Sequence, residues 1–420
     1  MPRRGPDADR PTIARHAPQR TRSTAGRVFR FLGISLAVVL VSAIGVGTFL
    51  IVDLFNRIGD GAVVLEGAPE VDPPTIGAYP ADQPFSILIA GTDECGERAT
   101  ALFAERCEEA DGLRRNDVTL LVHVSAEPRN VTVVSLPRDL GVEVPECTRP
   151  DGTVAPAMRK ARMNSLFEHA GLSCVAKTVS ELGDLPIEFA AAISFDGVMA
   201  VTDAIGGVEV CIAGEGIRDR HTGIDWPPGM RTVSGVEALQ FIRTRHGVGD
   251  ESDLARISNQ QQYMSRLAKK VLSEETLSDV PTVLRIANAV ADNIDPSESL
   301  NDPLRLAQLA LALKDVKFSD FVFVQYPNVV DPEDDDRVVP NEAAAEQLWA
   351  AIRAGQPLQL TGDVATRRGV ELVTPPPATD GTTEATAPPA TETPDPRATL
   401  PPDISGQTLE QETCAVGNQR

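Results

Sequence analysis

Apolar and β-branched residues fall in two runs, Val118 to Val124 and Val131 to Val134, separated by the polar stretch Ser125 to Asn130 with Pro128 inside it. Such runs around a turn predict two antiparallel strands. With the turn centred near Glu127 and Pro128, paired positions sum to about 255, which sets Asp117 opposite Arg138 at the open end. Phe85 to Ala90 (FSILIA) is a short continuous apolar run, as in a buried strand, and carries Asp93 at its C-terminal end. Further strands are expected at Glu188 to Ile193, Val208 to Ile212 and Phe321 to Gln325. Helical spacing marks Met158 to Leu182 with an interruption at Gly171, Phe195 to Ile205, Gly235 to Ile242, Asp253 to Leu272, Val280 to Ala291, Pro303 to Leu313 and Glu342 to Ala354. Ser234 and Glu237 have the spacing of a capping box. Helices and strands therefore alternate, and no internal repeat is present.

The segment Phe31 to Val52 has no charged residue over 22 positions, about 33 Å as a helix against about 30 Å of hydrocarbon. It is expected to cross a membrane. Eight arginines against Asp7 and Asp9 give residues 1–30 a charge of +6, so the −21 of the whole chain leaves −27 on the rest. By the positive-inside rule residues 1–30 form a cytoplasmic tail and everything after residue 53 lies outside the cell membrane. Residues 53–83, with Pro73, Pro74 and Pro80, read as a spacer; 84–356 as the folded domain; 357–420 as a mostly disordered tail, rich in Pro and Thr. The acidic exterior argues against a nucleic-acid partner.

All six cysteines fall on the outer side, where disulfides persist, and none forms a CxxC metal motif. Short loops favour Cys95 with Cys107 and Cys147 with Cys174. His123, His169, His221 and His246 lack metal-ligand spacing, although His246 stands beside Arg245. The acidic run Asp331 to Asp336 lacks the glycine and terminal Glu of a calcium loop and reads as solvated.

Chemistry concentrates in Arg243 to Gln261, RTRHGVGDESDLARISNQQ. Arg243 and Arg245 are two apart and share a side of an extended segment; Asp253, Arg256 and Gln260 share one stripe of a helix. Three arginines exceed what one carboxylate partner needs and suit an anion such as a phosphate. Read alone, the stripe is also an ordinary solvated helix face, and Asp117 with Arg138 an ordinary salt bridge.

Six segments in order, FSILIAGTD (85–93), RND (115–117), SLPRD (135–139), RMN (162–164), GGVEV (206–210) and 235–261, resemble the motifs of the LytR-CpsA-Psr family of cell-wall glycopolymer transferases. The resemblance runs from about residue 84 to about 275. It implies an α/β domain with a central mixed β-sheet flanked by helices, and an apolar tunnel for a polyprenyl chain. The implied reaction moves a glycopolymer from polyprenyl pyrophosphate to the 6-hydroxyl of N-acetylmuramic acid in peptidoglycan, forming a phosphodiester. By motif match Asp93 and Asp117 would hold Mg²⁺. Arg138, Arg243, Arg245 and Arg256 would clamp the pyrophosphate, and Asp253 would orient an arginine or act as a base. Arg115, Arg162, Asn164 and Gln260 would bind substrate. Whether the polymer is an arabinogalactan, a teichoic acid or a capsule stays open. Asn259 stands where many relatives have Arg, which keeps open a second reading, a non-catalytic wall-binding or regulatory protein that keeps the pocket. A third reading is a simple phosphohydrolase.

Overall fold

The computed structural model describes residues 61–103, 107, 114–362, 369–373 and 397–418, with Ser35, Ser42, Gly45 and Asp53 as single positions before them. Apart from those positions, the basic tail and the expected membrane span 31–52 lie outside the described residues. Among the described residues no helix is long and apolar enough to cross a membrane. The chain divides into Met1–Asp53 and Leu54–Arg420, and the second unit holds the fold.

Along that unit run β1 (Phe85–Thr92), α1 (Glu97–Leu102), β2 (Asn116–Val124), β3 (Val131–Leu136), α2 (Leu166–Gly183), β4 (Phe189–Ile193) and α3 (Phe195–Ala204). They are followed by β5 (Val208–Ala213), β6 (Ile217–Asp219), β7 (Ile224–Trp226), β8 (Gly229–Val233), α4 (Gly235–Arg243) and α5 (Asp253–Val271). Then come α6 (Val280–Asn293), β9 (Ile294–Pro296), α7 (Pro303–Leu313), β10 (Phe321–Gln325), α8 (Glu342–Arg353), β11 (Val370–Leu372), β12 (Gly406–Thr408) and β13 (Thr413–Val416).

The central sheet has the order β9-β4-β1-β2-β3-β10-β12. It is mixed, with β1 parallel to β4, β3 parallel to β10, and antiparallel pairing elsewhere. Every β2–β3 pair from Thr119–Leu136 to Val124–Val131 sums to 255, the register that the turn geometry predicts. Period-2 alternation sends Leu88, Ala90, Leu121 and Val134 to one face, against α2 and α8. Leu120, Val133 and Phe323 go to the other, against α5 and α7. A second sheet, β8-β5-β13-β11, packs on α4 and α5 through Val208, Val210, Phe241 and Tyr263. Helices thus flank a central mixed sheet, as expected.

Four local expectations fail. Met158–Arg162 is a strand paired with Gly141–Val144, and helix α2 begins only at Leu166, because the charged Arg159, Lys160 and Arg162 supply no apolar helix face. Ser234 makes no side-chain cap, and Glu237 is drawn to Arg231 instead. Residues 61–83 are not a loose spacer: Tyr79 is buried, its ring 4.8 Å from that of Phe85, and Arg129 donates to the carbonyls of Tyr79 (3.0 Å) and Pro80 (2.7 Å). Nor is the chain beyond 356 mostly disordered where it is described. β12 extends the central sheet, β13 enters the second sheet, and Leu400, Ile404 and Leu409 are buried. The Pro and Thr of 374–396 set the average composition and hid these apolar positions.

The disulfides Cys95–Cys107 and Cys147–Cys174 form as expected, and the third joins Cys211 to Cys414.

His123, on β2, is buried with its Nδ1 3.1 Å from Ser86 Oγ, and burial pushes its pKa down to about 4. A neutral folded histidine stabilises fully above its unfolded pKa of about 6.5 and loses that contribution as pH falls towards 4. Thermal melts from pH 7 to pH 4 should show a loss of roughly 3 kcal/mol that is absent in His123→Gln.

Candidate active site

A cavity of about 310 Å³ opens beyond the C-terminal end of β1, lined by Gly91 and Thr92 of β1, Asp117, Arg138, Asp219, Arg243, Arg245, Arg256 and Gln260 among others. Such positions off strand ends are where open α/β sheets bind ligands. Local sequence explains how each group arrives. Gly91 pairs with Val118 and Thr92 with Asn116, so Asp117 is the extra residue of a β-bulge. The bulge carries the carboxylate to the rim, where its Oδ1 lies 3.4 Å from Arg138 Nη1. Arg138 follows β3 and also reaches Asp139 (3.4 Å) and Asp253 (3.5 Å). Burial acts to lower its pKa, but Asp117, Asp253 and Asp139 outweigh burial and hold it above the ordinary value.

Asp253 opens α5, just after Ser252, whose hydroxyl caps the helix by accepting from the Ala255 N–H. Its Oδ1 lies 2.6 Å from Arg256 Nη2. Asp253 thus stands between two guanidinium groups and orients both. Arg256 is almost fully buried, and burial pulls its pKa down against the opposing field of Asp253.

The Arg243 and Arg245 pair comes off the end of α4. Asn259 donates to the carbonyl of Phe241 (2.7 Å) and Gln260 to that of Ile242 (3.1 Å), bolting α5 to the last turn of α4. Asn259 is fully buried there and does not line the cavity. The Arg243 guanidinium lies between the rings of Phe103 (4.8 Å) and Phe195 (4.7 Å). Phe103 belongs to the loop closed by Cys95–Cys107, so the described end of that loop lies against the site.

Sequence reasoning missed Asp219. Its carboxylate accepts from Thr244 Oγ1 (2.8 Å) and from the backbone N–H groups of His221 (2.9 Å) and Arg245 (3.3 Å). Burial would raise its pKa, but these hydrogen bonds prevail and hold it below the ordinary carboxylate range. No motif in the sequence announces this: Thr244 and Arg245 lie 25 and 26 residues away on a loop.

Other expected residues sit outside the cavity lining. Arg115 pairs with Glu168 (3.3 Å). Arg162 leans on Asp139 (3.8 Å), and the Asn164 N–H donates to the Arg138 carbonyl (2.9 Å). Both of these act on Arg138 from behind. Asp93 follows the lining residue Thr92, and its Oδ1 accepts the Arg115 N–H (2.8 Å). Among the described residues no group of three or more acidic, His or Cys side chains could hold a metal ion. Asp93 and Asp117 would supply carboxylates of the kind Mg²⁺ takes, one or two at a time, with water and phosphate oxygens completing its shell.

Below the arginines, Val118, Ile242 and Gln260 also wall an apolar slot with Leu120, Val133, Met264 and Phe323. The slot holds about 40 Å³. That is much narrower than the tunnel the resemblance implies, so a polyprenyl chain would have to part α5 from the sheet.

The sequence profile of the LytR_cpsA_psr family matches residues 66–353. The chain belongs to this family. A LytR_cpsA_psr relative, the cell wall biosynthesis protein LcpA of Corynebacterium glutamicum, is 27% identical over 336 residues, covering 74% of this chain and 62% of that protein. The Bacillus subtilis polyisoprenyl-teichoic acid–peptidoglycan teichoic acid transferase TagT is 25% identical over 287 residues, 67% of this chain and 81% of TagT. The crystal structure of a Streptococcus agalactiae protein shares the fold, with a TM-score of 0.50 at 19% identity over 65% of this chain and 88% of that one. The match to LcpA therefore spans about six tenths of that relative's length.

Proposed function

We propose that the protein is a phosphotransferase, anchored by residues 31–52 with its domain outside the cell membrane, that moves a glycopolymer from a polyprenyl pyrophosphate carrier to peptidoglycan. The observation that carries this reading is the convergence of Arg138, Arg243, Arg245 and Arg256 on one cavity that continues into an apolar slot. Four guanidinium groups against Asp117 and Asp219 leave the cavity positive, as a diphosphate requires. The acceptor oxygen, the 6-hydroxyl of N-acetylmuramic acid, attacks the glycan-side phosphorus; the bond from that phosphorus to the bridging oxygen breaks, and polyprenyl monophosphate leaves. The arginines neutralise charge as it gathers on the leaving phosphate. Asp93 and Asp117 would hold Mg²⁺, which supplies further positive charge to the phosphate oxygens. The slot binds lipid away from the reacting atoms.

TagT, by its name, transfers teichoic acid from a polyisoprenyl carrier to peptidoglycan. The non-catalytic alternative rested on Asn259, and that side chain is spent on α4 rather than on the cavity. The test is the full-length protein in detergent with Mg²⁺, a polyprenyl-pyrophosphate-linked saccharide and peptidoglycan. Monophosphate release with saccharide joined to the wall is the expected result. Release that ignores the acceptor would mark a hydrolase, and binding without release a regulatory protein.

The slot makes its own prediction. Met264→Trp should raise the KM for a long-chain donor about tenfold relative to that for a short-chain donor, since only the long chain needs the filled space. Equal KM changes for the two donors would remove the slot from lipid binding.

A further inference from the structure

A second cavity, about 530 Å³, adjoins the first and is walled by the β6–β7 hairpin, the loop after Arg245 and the C-terminal Asn418. Asp219, His221 and His246 line both cavities and so form the partition between them. The two differ in charge. The first sets four arginines against two aspartates; the second sets Arg218 and Arg220 against Asp219, Asp225 and Glu251. A nearly balanced, hydrogen-bonding lining has no preference for an anion and suits the hydroxyl and amide groups of a sugar. Its Arg218, Arg220, His221 and Asp225 are exposed, so the cavity is open at its outer side and a long polymer could lie across it.

His246, whose ring lies 4.6 Å from that of His221, faces a carboxylate. Its Nδ1 lies 3.5 Å from Glu251 Oε2, while Asn418 Nδ2 holds Glu251 Oε1 at 3.1 Å and donates to the His246 carbonyl. A proton on Nδ1, facing Glu251, leaves Nε2 as the accepting nitrogen. Such a histidine beside a carboxylate is suited to take a proton from a hydroxyl. The C-terminal segment thus builds the partition, since Asn418 also donates its N–H to the Gly247 carbonyl (3.1 Å).

We propose that this second cavity is the acceptor subsite, seating the sugar hydroxyl and amide groups of the acceptor glycan strand, and that His246 Nε2 receives the proton of the attacking hydroxyl. The inference rests on the transferase reading above. As the hydroxyl oxygen bonds to the glycan-side phosphorus, its proton passes to His246 and polyprenyl monophosphate departs with the electron pair of the broken P–O bond. Two separate cavities keep the donor and acceptor polymers apart and let them meet only at the partition.

The test uses the full-length protein in detergent with Mg²⁺, a polyprenyl-pyrophosphate-linked disaccharide and a soluble peptidoglycan glycan fragment of varied concentration. Arg220→Ala should raise the acceptor KM about tenfold with the donor KM unmoved. His246→Ala should lower kcat for transfer about a hundredfold while the dissociation constant for polyprenyl pyrophosphate stays at the wild-type value, which also reports that the variant is folded. Wild-type acceptor KM in Arg220→Ala, together with wild-type kcat in His246→Ala, overturns the proposal. Loss of donor binding in His246→Ala overturns it too, by assigning that side chain to the pyrophosphate clamp. A wild-type protein that transfers nothing sinks the transferase reading itself, an outcome distinct from either variant result.

Discussion

Replacing Arg138 by alanine is expected to lower kcat for polymer transfer by about a thousandfold, the scale on which an arginine stabilises a transferring phosphoryl group. The side chain touches three carboxylates, Asp117, Asp139 and Asp253, and lines the cavity with Arg243, Arg245 and Arg256. Its removal takes away one of four cations and also leaves Asp117, which lines the cavity, and Asp139 and Asp253 beside it without that guanidinium partner. Both effects act against the transition state, where phosphate charge is greatest. Arg138→Lys keeps the charge but not the fork that bridges Asp117 and Asp253, and should recover only part of the rate. The measurement is kcat and donor KM for all three proteins. A rate within threefold of wild type in Arg138→Ala would reduce Arg138 to a salt bridge that holds the β2–β3 hairpin end.

The β2–β3 register was readable because it needs only period 2 and a short turn, both local properties of the chain. Arg256 and Gln260 were readable for a similar reason, since a spacing of four survives folding as a common helix face; Arg243 instead closes helix α4, so it meets Arg245 at the cavity without the extended segment that a spacing of two suggests. What spacing could not show is depth. Arg115 belongs to the same motif as Asp117, and Arg162 and Asn164 to the next motif after that of Arg138, yet they stand outside the cavity lining and act through the Asp93 loop, Asp139 and the Arg138 carbonyl. Asp219 was invisible because its role is to gather Thr244 and Arg245 from a distant loop together with the nearby His221 N–H, and a single acidic residue in a hairpin carries no pattern. Asn259 misled for the converse reason. Its motif position suggests the cavity, but the helix turns it towards the open carbonyl of Phe241, a partner that no linear motif records.

Ending the chain after residue 396 is expected to abolish cooperative unfolding, the largest stability effect in the molecule. Leu400, Ile404 and Leu409 are each at most 1% exposed, and burial of a large aliphatic side chain contributes about 1.5–3 kcal/mol. Three of them approach the whole stability of an ordinary domain, about 5–15 kcal/mol. The cut also strips β12 from β10 and β13 from β5, leaving backbone groups of both sheets unpaired, and removes the Cys211–Cys414 link across 203 residues. Close packing makes the loss hard to repair: a Cβ on Gly406 would lie 2.1 Å from the Phe323 carbonyl oxygen, so this strand lies against its neighbour without space for a substitute. Calorimetry of the truncated and full-length proteins is the measurement, with Cys414→Ser as the milder variant that keeps the strands and loses only the cross-link. The order full length, Cys414→Ser, truncation in falling Tm is the expected result. An unchanged Tm after truncation would return these residues to the free tail that their composition suggests, and would take Asn418 out of the partition beside His246.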